Sequence, residues 1–172
     1  AEAEHDPGSA VLVTTSQELA DKVVAQINDQ YATLERCGAI ANALQTYSMI
    51  IVVQDIDTAC EVANEFATEH LQIITADDDA TLAKIRNAGA IFVGPYTPVP
   101  VGDYYAGPSH VLPTGGTAKF FGPLSVNDFL KASSILRYEK TALAEDGKDI
   151  ADFATREGLT AHAEAVRKRG RR

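Results

Sequence analysis

The chain is poor in cysteine, in basic charge and in long apolar runs, and each shortage removes a class of function. Cysteine occurs only at Cys37 and Cys60, too few for a disulfide framework or a paired-thiolate metal site. Both sit in helical-looking, partly apolar surroundings and read as small buried residues of a reducing compartment. No apolar run approaches the roughly 20 residues that cross a bilayer. The start, AEAEHD, is acidic and apolar-poor, so it does not read as a signal peptide. Lys and Arg number 15 against 24 Asp and Glu, a formal net charge of -9. That balance argues against nucleic acid or an anionic membrane as the main partner. The exception, the terminal RKRGRR, reads as a solvated helix end with cations on the negative end of the helix dipole. No HExxH pattern, internal repeat or low-complexity segment occurs. GGTAKFFG has neither the spacing nor the preceding strand of a dinucleotide-binding glycine loop.

At 172 residues, 45% hydrophobic and 23% charged, the chain has the material for one globular domain with a small appendage. Short β-branched runs alternate with amphipathic stretches. AVLVT (10–14), SMIIVVQ (48–54), LQIIT (71–75) and AIFVG (90–94) read as buried strands. Between them lies SQELADKVVAQINDQYATL, with Ser16 as N-cap and Leu19, Val23, Ile27 and Tyr31 on one helical face. DIDTACEVANEFATEH and DDDATLAKIRNAG follow as further helices, the latter with acids in its first turn and an end at Gly89. The alternation predicts an α/β fold, a mostly parallel sheet with flanking helices in the manner of an incomplete Rossmann-like domain. Residues 94–124 form a long Gly/Pro-rich stretch of the functional-loop kind. From Ser125 the chain reads as helical pieces, SVNDFLKASS, TALAEDGKDIADFATREG and LTAHAEAVRKRG, with ILRYE extended between the first two. The expected division is an α/β segment over 1–124 carrying the site, and a small C-terminal helical segment over 125–172. The opening AEAEHDPGSA resembles the tail of a helix begun earlier, as in a piece of something longer.

Chemistry is confined to a few places. The histidines are His5, His70, His110 and His162, and any single one is more often a plain surface or core residue than a functional one. Glu69 and His70 stand together just before a strand, where a loop can present both to a cleft as a proton-transfer pair. VGDYYAGPSHVLPTGG places Asp103 and His110 in a segment that reads as too rich in Gly and Pro for a helix or central strand. Imidazoles plus carboxylate suit Zn²⁺, and the lack of thiolates fits a catalytic rather than a structural site.

AEHD at the start, EHLQI, the block AGAIFVGPYTPVPVGDYYAGPSHVLPTGGTAKFFGPLSVNDFLK and GLTAHAEAVRKR closely resemble, in the same order, the C-terminal part of histidinol dehydrogenase. The resemblance implies oxidation of L-histidinol to L-histidine through the aldehyde, with NAD and Zn²⁺, in a cytoplasmic homodimer and as the last step of histidine biosynthesis. It implies His5, Asp103 and His162 as zinc ligands, and His70 as general base. Glu69 would activate water for the second oxidation. His110 and Glu157 would contact substrate, as Asp103 and His162 also would. It further implies that the C-terminal segment crosses to the other subunit, so that Glu157 and His162 complete the partner's site.

Two departures qualify the match. The family carries a zinc-binding Gln three residues before the first ligand His; Glu2 stands there, still a competent zinc ligand. Family chains are also much longer, and the portion without a counterpart here carries the NAD-binding region. The expectation is therefore a fragment that is inactive alone. Two other readings stay open: a non-catalytic zinc- or imidazole-binding fragment, and a paralogous dehydrogenase for another small alcohol such as a sulfonated diol. His110 and Glu157 favour histidinol.

Overall fold

A computed structural model describes residues 1–170, so the last two arginines of RKRGRR lie outside the described residues. The chain falls into two compact units, Ala1–Phe129 and the part from Leu130 onward.

The first unit is α/β. Its strands are β1 (Val11–Thr14), β2 (Met49–Val52), β3 (His70–Ile73) and β4 (Ala90–Val93). All pairing is parallel, but in two separate two-stranded ladders, β1 with β2 and β3 with β4. The helices are α1 (Gln17–Gln30), α2 (Cys37–Thr46), α3 (Ile56–Phe66), α4 (Asp78–Leu82) and α5 (Val99–Tyr104). Ser16 caps α1 as its position suggests: its hydroxyl accepts from the Leu19 amide at 3.2 Å. Asp55 caps α3 by accepting from Thr58 N at 2.7 Å, and Asp77 caps α4 through Ala80 N at 3.0 Å. The amides around Asp55 hold its carboxyl below the ordinary carboxylate value, since they stabilise the charged form. At the chain's start, Glu2–Glu4 make a single 3-10 turn and His5 is already extended.

Several local expectations are corrected. The stretch expected as one helix over 77–89 is helical only to Leu82. The cause is tertiary. The buried Asn64 side chain of α3 accepts from Arg86 N at 2.6 Å and Asn87 N at 3.1 Å, and donates to Lys84 O at 2.9 Å. Those backbone groups are satisfied by the amide and not by a helical ladder. α2 is an element that periodicity does not announce beyond the helical surroundings of Cys37. Cys60 is buried on α3, but Cys37, at the start of α2, is exposed. The Gly/Pro-rich stretch contains a short helix after all, α5, with prolines confined to its cap and first turn, where a missing N–H costs nothing.

The core of this unit is built from small residues. Ala3, Ile40 and Ala43 form one cluster with Tyr31 and Leu44 packed against it, while Ala20, Ala67, Ile73 and Phe92 are buried elsewhere. α3 ends in Ala67, buried and in the left-handed region at φ 48°.

The second unit is a helical hairpin. α6 (Lys140–Arg156) turns through Gly158, at φ 78°, into α7 (Thr160–Gly170), and the buried Ala151 and Ala163 allow close approach. Ahead of it, SVNDFLKASS is not an α-helix. It contributes one 3-10 turn, Val126–Phe129, and the chain then has no regular structure as far as Lys140. Among the described residues no helix is long and apolar enough to cross a membrane.

Three expected outcomes follow from these features. Asn64→Ala strands two amides and a carbonyl and should cost about 2–3 kcal/mol. Ala67→Gly relieves the left-handed alanine and should gain up to about 1 kcal/mol. Urea unfolding reads both, with opposite signs. In the native chain iodoacetamide should modify Cys37 promptly and Cys60 only after unfolding, because burial both shields the Cys60 thiol and pushes its pKa up. Peptide mass mapping of the labelled thiols checks this.

Candidate active site

The site is built around His70, the first residue of β3. In the parallel register His70 stands opposite Ala90 and Gln72 opposite Phe92, so His70 and Phe92 fall on the same sheet face. Their rings meet edge to face, centroids 5.8 Å apart. The rung beneath is set by Gly89: its amide donates to Thr68 O at 2.8 Å and the next amide, Ala90 N, to Glu69 O at 2.8 Å. A Cβ at Gly89 would lie 2.6 Å from the Glu69 carbonyl oxygen, so only glycine permits this approach.

The imidazole lies between two carboxylates. His70 Nδ1 is 3.0 Å from Glu2 Oε2, a hydrogen bond, and Nε2 is 3.8 Å from Asp103 Oδ1, an ion-pair distance beyond hydrogen bonding. The His70 side chain is only 11% exposed, and Nε2 is a buried polar atom with no hydrogen-bond partner. A carboxylate on Nδ1 holds the proton there and leaves the lone pair on Nε2. That is the arrangement of an imidazole ready to accept a proton or to meet an incoming group.

Asp103 reaches this place through α5. Thr97 Oγ1 donates to Val93 O at 2.8 Å where the chain leaves β4, and α5 then packs Gly102 against the far edge of Phe92. A Cβ at Gly102 would meet Phe92 Cε1 at 2.7 Å and Cζ at 2.9 Å. Glycine there sets how closely Asp103 approaches His70. Gly102, Phe92 and Gly89 were not among the residues singled out from the sequence. Of these, only Gly89, as a helix stop, gave any local signal.

The other expected residues are placed as follows. Glu69 is half-buried, and its backbone carries the ladder. Its carboxylate has no hydrogen-bond or ion-pair partner among the described residues, and the residue stands at the bend that precedes β3. The carboxylate that meets His70 is therefore Glu2, not the sequence neighbour. His5 and His110 are exposed. Glu157 and His162 are exposed within the second unit, at the end of α6 and in the first turn of α7. Among the described residues no group of three His, Cys, Asp or Glu is assembled to hold a metal ion. Glu2, His70 and Asp103 are brought together; among the described residues of the first unit, His5 and His110 are not joined to them by any hydrogen bond or ion pair. The donor chemistry nevertheless fits a zinc ion. Of the ligands named from the sequence, the carboxylates Glu2 and Asp103 are brought to opposite nitrogens of one imidazole, His5 follows the turn that carries Glu2, and carboxylate and imidazole are the donor types zinc takes.

Comparison with known proteins gives a consistent result. A family model described as histidinol dehydrogenase matches residues 1–170. A histidinol dehydrogenase of Heliobacterium mobile is 52% identical over 164 residues, which are 95% of this chain and 38% of that protein. One of Bacillus subtilis is 49% identical over 172 residues, 99% of this chain and 40% of that protein. The crystal structure of histidinol dehydrogenase from Elizabethkingia anophelis superposes with a TM-score of 0.87 at 30% identity, covering 97% of this chain and 39% of that one. The chain thus spans about two fifths of the length of the curated relatives it matches.

Gly102→Ala should destabilise the chain by about 1–3 kcal/mol, the usual cost of overpacking a filled site. Adding Phe92→Leu should recover part of that loss. A double-mutant cycle by thermal denaturation reads the coupling; additive losses would mean that Gly102 and Phe92 do not control one another.

Proposed function

Because the chain belongs to the histidinol dehydrogenase family, we propose that it carries the proton-transfer and substrate-holding part of an NAD-dependent oxidation of L-histidinol to L-histidine through the aldehyde. The observation that carries this reading is the His70 imidazole, bonded to Glu2 on Nδ1 and left unpartnered and buried on Nε2. In the first oxidation His70 Nε2 takes the alcohol proton as the carbinol hydrogen leaves as hydride. In the second, Glu69 takes a proton from the water that adds to the aldehyde, and the hydrate loses its hydride in turn. His110 and Glu157 hold the substrate's polar groups. Glu2, His5, Asp103 and His162 would hold the zinc ion, His162 from the C-terminal segment of a partner subunit in a cytoplasmic homodimer. When bound, Zn²⁺ supplies a fixed template for the substrate and NAD⁺ the hydride acceptor. Confinement of the groups by β3, β4 and α5 gives the reacting atoms a fixed geometry.

The two-fifths coverage of the relatives supports a second statement: alone, the chain is a zinc- or imidazole-binding part without turnover. NADH formation should therefore be undetectable with the chain by itself. In a complete enzyme bearing this sequence, His70→Asn should slow turnover by roughly 10²–10⁴-fold with little change in KM, the signature of a group acting on a proton that moves only in the transition state. His110→Asn should instead raise KM. Steady-state kinetics on both variants, with zinc content determined alongside, separates the roles. Loss of zinc as the main effect of His70→Asn would remove the base assignment.

A further inference from the structure

Residues 94–124, which carry Asp103 and His110, are exposed or half-buried with one exception: among the described residues of this stretch, Pro113 alone is buried. Pro113 lies against Gly89, where a Cβ would stand 3.2 Å from Pro113 Cδ. Gly89 sets the rung beneath His70, since its amide donates to Thr68 O and the Ala90 amide to Glu69 O, both at 2.8 Å. In proline the Cδ atom occupies the place where every other residue carries an N–H. It is therefore pressed onto this rung without burying an unpaired donor, and its locked φ stiffens the chain around it. His110 stands three residues earlier, no more than about 10 Å of extended backbone away. Val111 O, between the two, accepts from Leu124 N at 2.9 Å and closes the loop. The loop's other ties lie beyond Pro113, at the end of α3. Gly116 comes near Phe66 O, and Lys119 Nζ is 3.3 Å from Glu65 Oε1. The Glu65 side chain is 85% exposed, and an ion pair so open to water contributes little.

We propose that Pro113 is a positioning residue for substrate recognition. Seated on Gly89, it ties the loop that carries His110 to the rung from which His70 projects. The imidazole that holds the substrate and the imidazole that takes its proton then keep one separation. The proposal rests on the roles given to His110 and His70 above, and adds the contact that fixes them to each other. Pro113 acts only through His110. A free loop would present that imidazole in many positions, and each binding event would have to order it; a seated loop is ordered beforehand. The effect is confined to holding the substrate, because His70 keeps its own supports, Glu2 and Phe92, when the seat is removed.

Steady-state kinetics on a complete enzyme bearing this sequence test it. Pro113→Ala should raise KM for L-histidinol about tenfold and leave kcat within about twofold. Combined with His110→Asn, it should add nothing to the KM increase of His110→Asn alone, since no imidazole is then left to position. A purely structural proline would instead lower Tm with KM unchanged, or multiply the His110→Asn effect; either result overturns the proposal. Lys119→Ala, at the exposed tie, should leave both constants within about twofold. A KM increase there equal to that of Pro113→Ala would move the anchoring role to Lys119 and overturn the proposal as well. NMR on the chain itself reads the seat without turnover. In the unsubstituted chain a nuclear Overhauser effect should join Gly89 Hα to Pro113 Hδ. In Pro113→Ala the Leu124 amide should exchange about tenfold faster, while the Ala90 and Gly94 amides stay protected and show that the variant is folded. Absence of the Overhauser effect, or an unchanged Leu124 amide in the folded variant, overturns the seat. A seat supported by both measurements, with His110→Asn leaving KM unchanged, would refute the substrate-holding role of His110 in the proposed function and leave the anchorage standing.

Discussion

The first rung of the β3–β4 ladder carries the site. Ala90 N donates to Glu69 O, and from that height His70 leaves the backbone opposite Ala90. Gly89 allows the two chains to come that close, and Asn64 fixes the turn that leads into β4. Phe92, on the same face, then touches His70 with one edge and Gly102 with the other. The position of Asp103 is thus inherited from a backbone pairing through one aromatic ring. A shift of that pairing by one residue would turn His70 to the opposite face and break every contact at once.

This arrangement also explains where the site lies. Open parallel sheets usually bind ligands beyond the carboxyl ends of their strands. Here the groups gather at the amino end of β3, because α5 folds back after β4 and brings its last turn to His70. The turn from Glu2 to Glu4 arrives from the chain's beginning and closes the other side. Segments far apart in sequence therefore share the solvation of one imidazole. The Nε2 atom, buried and without a partner, is the kind of exception that a functional site tolerates and an ordinary core does not.

The two separate two-stranded ladders belong to the same account. Small residues fill the interior, so the first unit buries little bulk of its own. Its amphipathic elements follow the pattern of a larger layered fold, which fits a chain covering about two fifths of its relatives.

Short-range patterns in the sequence determined the strands, the α/β order, the Ser16 cap and the hairpin-forming helices, because each depends on neighbours within a few residues. The specific motifs around His5, His70, Asp103, His110 and His162 pointed to the family for the same reason: each is a contiguous string. What only the tertiary structure decided were contacts between distant segments. Asn64 ended α4 early by capturing amides more than 20 positions away. α5 formed inside a stretch whose Gly and Pro content argued against helix, because its prolines stand only where they are tolerated. Cys37 proved exposed although its neighbourhood resembles that of Cys60. The partner of His70 proved to be Glu2, 68 positions away, and not the adjacent Glu69. Adjacency along the chain does not decide which carboxylate meets an imidazole, whereas residues brought together by sheet register and a glycine-sized gap meet with no periodicity in the sequence to mark them.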